Sequence, residues 1–350
     1  MEPLTHMLTG ACLSRAGLNR KTGLATLTLA LALESADVDA VSYVGGSVSM
    51  LQHHRGITHS LVGAPFVAGL TVAVVYGIYR LMKKRGWEPK APPNWKVLYL
   101  YAVFGVLVHI FQDFTNNYGV RPFAPLNPKW YSWDIVPLID PIMLGALVLG
   151  LVVPGLLGMI TEEIGSRKTQ FRGRGGAIFA LTCLVLVILG RDYEHRRAIN
   201  ALSARTYHDE NPLHVSAYPQ SQSPFAWKGV VETNDFFELL PVDTMAEEVD
   251  PQNVSIVRYK PEETRVTLAA KKSWLGRVFL DWAQYPITEV ERLPGGAGYQ
   301  VQLSDLRFAR PAGTARQRLP SLAGYVVLDP QLRVEEMNLG DPPITVEKER

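Results

Sequence analysis

The sequence predicts an α-helical multi-span membrane domain followed by a small, mostly-β (α+β) soluble domain. Three observations lead there. Charged residues make up only 19% of the 350-residue chain, below the usual share in soluble proteins, and the deficit is concentrated before residue 190. Apolar runs near the ~20 residues that cross a bilayer recur in that first part. Beyond residue 200 the pattern changes to short alternating or β-rich runs separated by turn residues. The division falls at 192/193, with 1–192 membrane-embedded and 193–350 β-rich.

Net charge is +2, so no global basic bias points to nucleic acid, and none is expected as a partner. The cysteines, Cys12 and Cys183, lie far apart in apolar surroundings and form no disulfide framework. Glu2 and His6 precede the first Lys or Arg and no small-residue cleavage site follows, so a signal peptide is not expected.

Residues 3–18 read as a helix with Leu4, Met7, Leu8, Ala11 and Cys12 on one stripe. Residues 22–36 are apolar and end in Glu34, Asp37 and Asp39. Each segment is short of a lone span, so a partly inserted hairpin or two short spans both fit. Leu61–Met82 reads as a spanning helix closed by Arg80, Lys83, Lys84 and Arg85. Trp95–Asp113 is the next span, and 114–137 is irregular. Leu138–Ile160 spans again, and Ala177–Leu189 is a short last run. In the second domain, strands are expected at Gly229–Thr233, Val254–Tyr259, Arg265–Ala269, Tyr299–Leu303 and Gly324–Leu328, with turns at Pro294-Gly295-Gly296 and Asp329-Pro330. Segment 273–285 fits either a helix or a strand.

The positive-inside rule puts the basic clusters at 15–21, 80–85 and 167–174 on the cytoplasmic side. The stretches Asp37–His59 and Asp113–Asp140, together with His6 and everything after Arg191, then face outward. That topology uses only Lys and Arg, yet it gathers every candidate ligand on one membrane face.

The chemistry centres on His53-His54-Arg55-Gly56-Ile57-Thr58-His59-Ser60. Neutral imidazole ligates Zn and similar ions, and Gly56 is expected to let the backbone turn so that His54 and His59 converge. The other reading is a polar juxtamembrane loop. His109 and Asp113 stand four apart on one helical face, a spacing that suits two ligands, or a ligand and its orienting carboxylate. A hydrogen bond that staples helices is the alternative. Asp37 and Asp39 repel unless a cation or proton lies between them; a solvated loop is the plain reading. Asp134 and Asp140 either complete a site or, for Asp140, cap the helix from Pro141. Arg55 is a candidate phosphate clamp, with interfacial snorkelling as its alternative. His195, His208 and His214 show no ligand spacing and read as solvated.

Thr5-His6, Ala36-Asp37-Val38-Asp39, His54-Arg55-Gly56-Ile57-Thr58-His59-Ser60, and His109 with Asp113 running into Asn116-Asn117-Tyr118-Gly119 occur in that order. Together they resemble the LexA-binding, inner-membrane-associated predicted metal-dependent hydrolases of the YdjM/YfhO type. Arg121-Pro122-Phe123 and Asp134 with Asp140-Pro141 match as well. The likeness covers about the first 160 residues; Ala36 departs from a usual Pro and His53 is an extra histidine. It implies a multi-span protein of the bacterial inner membrane with a His/Asp metal site, distantly similar to zinc-dependent phospholipase C and the S1/P1 nucleases. On that basis His6, Asp37, Asp39, His54, His59, His109 and Asp113 are the expected ligands. Seven donors exceed the four of one zinc site, which favours two or three ions. Arg55 and Asp134 are the expected catalytic residues, and a lipid or lipid-linked phosphate ester at the outer face is the expected substrate. The competing class is a non-catalytic, metal-stabilised scaffold whose β domain binds a partner. No HExxH or GxSxG motif supports a protease.

Overall fold

The computed structural model describes residues 1–163, 173–309 and 322–340. Contacts divide the chain into two units, 1–39 with 55–193 and 40–54 with the part from 194 onward. Residues 40–54, read from sequence with the membrane domain, thus group with the C-terminal part.

The first unit is helical. Helix α1, Pro3–Ala16, begins on Pro3, whose missing N–H costs nothing at a helix start, and stops at Gly17 (φ 154). Helix α2 is Ala25–Ala32, followed by a 3-10 segment Ser35–Gly45. In unit two, α3 is Ser47–His53. Helix α4 is Ala64–Lys84 and α5 is Trp95–Phe114. Helix α6, Pro141–Glu163, contains Pro154, and α7 is Arg174–Ser203. Among the described residues α4, α5 and α7 are long and apolar enough to cross a membrane, and α6 has a shorter apolar stretch, Pro141–Pro154. The last helix is therefore longer than the apolar run Ala177–Leu189, because α7 continues through Arg191 into a charged C-terminal half. Of the third basic cluster, Arg167, Lys168 and Arg172 lie outside the described residues.

The outward faces of these helices are apolar: Phe66, Leu70, Leu100, Phe104, Leu186 and Leu189 are exposed. A water-soluble bundle would hide such side chains; hydrocarbon does not require it. The stripe on α1 divides. Leu4 and Met7 are exposed, Leu8 is partly buried, and Cys12 is buried with Thr5, His6, Thr9 and Gly10. The small residues allow close approach: a Cβ at Gly10 would strike the Leu29 backbone, and one at Gly105 would strike Ala32, the packing usual between membrane helices. Ala32, Ala64, Ala68, Ala102, Val106 and Ile110 form the core between α2, α4 and α5.

The second unit is mostly β. Strands β1 (His214–Pro219), β2 (Ala226–Glu232), β3 (Phe236–Asp243) and β4 (Ile256–Tyr259) form one antiparallel meander. Strands β5 (Pro286–Arg292), β6 (Tyr299–Asp305), β7 (Gly324–Leu328) and β8 (Val334–Leu339) form a second. Tyr218, Val230 and Phe237 of the first share a core with Tyr285 beside the second. The expected strand at Arg265–Ala269 is instead helix α8, Arg265–Lys272. A reciprocal cap between Thr264 and Thr267 starts that helix, and a local cap outweighs the β-branched pair Val266 and Thr267. Segment 273–285 resolves as α9, Trp274–Trp282, with Ser273 as its cap. His195 packs on Trp227, with ring centroids 5.3 Å apart, and His208 lies 3.5 Å from Glu238.

Candidate metal centre

Two helices and two 3-10 segments bring the donors together. Asn94 caps α5 by accepting from Val97 N–H, and one stripe of that helix (Leu98, Ala102, Gly105, Val106, His109, Ile110, Gln112, Asp113) is buried. The packing that hides the apolar members thus carries His109 and Asp113 inward. His6 comes from the buried face of α1. Asp37 and Asp39 lie on the 3-10 segment after α2, and His59 ends the 3-10 turn Ile57–His59. The chain is redirected here by Arg55, in the left-handed region (φ 55), and by Gly56 after it, which is neither helical nor extended (φ -88, ψ -122). The strain is offset by the Arg55 N–H, which donates to Asp39 Oδ2 at 2.9 Å.

Each imidazole is held in one tautomer by an acceptor. His109 Nδ1 meets the Leu33 carbonyl, which can only accept. His59 Nδ1 lies 3.1 Å from Asp39 Oδ2, a carboxylate that also accepts from Thr58 Oγ1 at 2.7 Å. His6 Nδ1 lies 3.0 Å from Gln112 Oε1, while Gln112 Nε2 donates to Thr9 Oγ1 at 3.1 Å, which fixes the amide's orientation. With all three Nδ1 atoms donating, each ring in its neutral form presents its Nε2 lone pair to one region. Tying down the far nitrogen in this way is how proteins orient metal-ligating histidines.

What those lone pairs face is negative. His59 Nε2 lies 3.0 Å from His109 Nε2, 3.2 Å from Asp37 Oδ1 and 3.4 Å from Asp113 Oδ2. His109 Nε2 lies 3.5 Å from Asp113 Oδ2 and 3.7 Å from Asp37 Oδ1. Two ligands of one tetrahedral zinc, each ~2.0–2.2 Å from the ion, stand about 3.3–3.6 Å apart. The five separations scatter around that edge, so these four donors fit a shared cation. His6 stacks on His109 at 4.0 Å between centroids, and its Nε2, 3.3 Å from Asp113 Oδ1, is buried without a hydrogen bond. The Met1 α-amino group also pairs with Asp113.

The local field favours positive charge. Burial opposes a charged His59, but Asp113, Asp37 and Asp39 outweigh it and hold its pKa at about 10. Burial likewise opposes ionised Asp37, but the hydrogen bond from His59 and the histidine charges win and keep its pKa below the ordinary value. Glu34, a single 3-10 turn before Asp37, is pushed up to about 8 by burial and by the Asp37 charge.

The structure therefore joins Asp37, His59, His109 and Asp113, sets His6 beside them, and places Asp39 behind His59 as its hydrogen-bond acceptor. His54 is the C-cap of α3 and belongs with His53 to the second unit. Arg55 differs from the expected open clamp. Its guanidinium is buried, donating to Asp113 Oδ1 and Asn116 Oδ1 at 3.0 Å each and to the Gly119 carbonyl at 3.3 Å, with the Tyr118 ring 4.8 Å away. Asp134 (φ 60) sits outside the four-donor group, on a segment stapled to the end of α5 by Trp133, Ile135 and Val136 N–H bonds to the Phe114 and Thr115 carbonyls. Asp140 caps α6 through the Ile142 and Met143 N–H groups, and its other oxygen pairs with Arg191 at 2.7 Å. Sequence reasoning missed Gln112 and the Leu33 carbonyl. Gln112 was findable, three residues after His109 on the same face; a backbone carbonyl has no sequence signal.

Apolar-faced helices around a buried His/Asp donor set, followed by a β-rich unit, define an integral membrane protein with a candidate metal centre. The chain belongs to the YdjM inner membrane protein family, whose model matches residues 1–198. It is 27% identical over 108 residues to the uncharacterized protein YfhP of Bacillus subtilis (strain 168). That match covers 31% of this chain and 30% of the relative, so the chain spans under a third of that protein's length. No solved structure matches.

Proposed function

We propose that this protein is a membrane-bound, metal-dependent hydrolase of a phosphate ester, with a lipid or lipid-linked substrate met at the outer face of the inner membrane. The observation that carries the reading is the convergence of three Nε2 atoms on Asp113, two of them, from His59 and His109, also on Asp37. Zinc is the proposed ion, since imidazole and carboxylate in a small shell suit it. A bound divalent ion supplies Lewis acidity and makes water a usable nucleophile near neutral pH. Asp37, with 26% of its side chain exposed, is where solvent reaches the cluster, whereas His59, His109 and Asp113 are sealed. Substrate would approach on that side. Arg55 would act through Asp113, setting that carboxylate's charge, rather than by gripping the phosphoryl group. The proposed topology is multi-pass, with the β-rich unit outside the cytoplasm.

The sealed donors also support a second reading, a metal that only fastens α1, α2 and α5 together, because closed shells are structural. One experiment separates the two. Purified full-length protein is analysed for metal and assayed on fluorogenic phosphomonoesters, phosphodiesters and phospholipids in mixed micelles, beside His59→Ala. The hydrolase reading expects turnover that disappears with the metal in the variant. Full metal occupancy with no turnover of any ester favours the fastening role.

A further inference from the structure

At the opposite end of α4 from the metal centre, Tyr76, Tyr79, Arg80, Lys83 and Lys84 line an open cleft of about 410 Å³. We propose that this cleft binds the head group of an anionic phospholipid, with its phosphate on the cations and its chains along α4.

The residues follow one helical stripe. Tyr76, Arg80 and Lys84 recur at four-residue spacing, with Tyr79 and Lys83 beside them. Trp95, the first residue of α5, stands edge-on to both tyrosines, at 5.1 Å from Tyr76 and 5.8 Å from Tyr79. The cleft is therefore aromatic on its helix-ward side and cationic at its outer end, the order in which a bilayer presents chains and then phosphates. Arg80 is held ready by its own helix, donating to Tyr76 Oη at 3.2 Å. Among the described residues neither Arg80 nor Lys84 has a carboxylate at ion-pair distance. Lys83 meets only Glu88, at 3.4 Å with both side chains more than half exposed, a pairing that water nearly cancels. Basic residues at a helix C-terminus also complement its dipole, but that does not require three aromatic rings packed beneath them. A lipid is favoured over free phosphate because the helix that bears the cleft also exposes apolar side chains along its length, at Leu70, Val74 and Leu81.

The test uses full-length protein in phosphatidylcholine vesicles, doped with either phosphatidylglycerol or phosphatidylcholine carrying brominated chains. Quenching is read at Trp95, isolated by subtracting a Trp95→Phe variant from the signal of all seven tryptophans. The expected result is stronger quenching by the brominated anionic lipid, weakened about fivefold in apparent affinity for each cation removed. Arg80→Gln/Lys83→Gln/Lys84→Gln should abolish the preference, and Lys83→Arg/Lys84→Arg should retain it. Lys84→Gln alone, at an exposed position, gives the single-step loss if the triple variant fails to fold. Equal quenching by the two lipids, or an unchanged preference in the charge-removal variants, overturns the proposal. Displacement of the lipid by millimolar inorganic phosphate overturns it in favour of a free-phosphate site.

Discussion

His59 Nε2 and His109 Nε2 face each other at 3.0 Å, and the partners of their Nδ1 atoms leave no tautomer that puts a proton on either neutral ring's facing nitrogen. Two lone pairs at that distance repel, so a cation must lie between them: a proton that charges one ring, or a metal ion. The same carboxylates stabilise either occupant.

The first prediction follows. A ligand that binds only the folded state stabilises it by about 2.7 kcal/mol at a hundred times its Kd. Adding Zn to chelator-treated protein should therefore raise the thermal midpoint, and the His59→Ala protein should lose that response. Differential scanning calorimetry in detergent checks it. An equal rise in wild type and variant would place the bound metal elsewhere.

Gln112 should matter although it donates no ligand atom. It holds His6 Nδ1 while being held by Thr9, and removing such supports typically costs ~10–100-fold in metal affinity. Gln112→Leu should weaken binding in that range in a competition titration against a chelating dye. Gln112→Glu, which keeps the acceptor, should recover most of it.

How much of this was legible in sequence depends on the range of each interaction. His109 and Asp113 share a face by helical spacing alone, and the sequence groups Asp37, His59 and Asp113 in one candidate ligand set, which the structure brings together with His109. That Leu4 and Met7 of α1 face outward is not legible, because hydrophobic stripes point inward only when the outside is water. The surroundings of Arg55 are not legible for a related reason: its neighbours in sequence are proposed ligands, but its partners Asp113, Asn116 and Gly119 lie about sixty residues on. In the β unit, the sequence marks β7 to the residue, whereas Arg265–Ala269 yields to a cap that outweighs strand propensity.

That revised place for Arg55 gives a distinct expectation. Breaking a buried ion pair by removing one partner costs roughly 3–5 kcal/mol, so Arg55→Ala should unfold at markedly lower denaturant than wild type. An open phosphate clamp would instead lose ~10²–10³ in rate with its stability intact. Equilibrium unfolding and initial rates on the same preparation decide between them.

The last prediction concerns pH and the β-rich unit. Lys228 on β2 is buried and donates to the carbonyls of Leu306 and Ala309 at 3.1 and 2.9 Å. Burial, partly opposed by Asp305 and reinforced by Arg307, lowers its pKa to about 8, against roughly 10.4 in an unfolded chain. Between those values the unfolded state binds more protons than the folded one, so stability should rise with pH. Below about 8 both states hold the proton and this contribution is flat; above roughly 10.4 neither does. The full excursion is at most about 3 kcal/mol, and less to the extent that the carbonyl acceptors compensate the buried ammonium. Lys228→Met should remove the rise, since it keeps the aliphatic stem and discards the charge. Denaturant midpoints of full-length protein at neutral pH and in alkaline buffers, compared between wild type and variant, measure it. If both proteins change in parallel, Lys228 keeps its ordinary pKa and the carbonyl cage fully replaces its water.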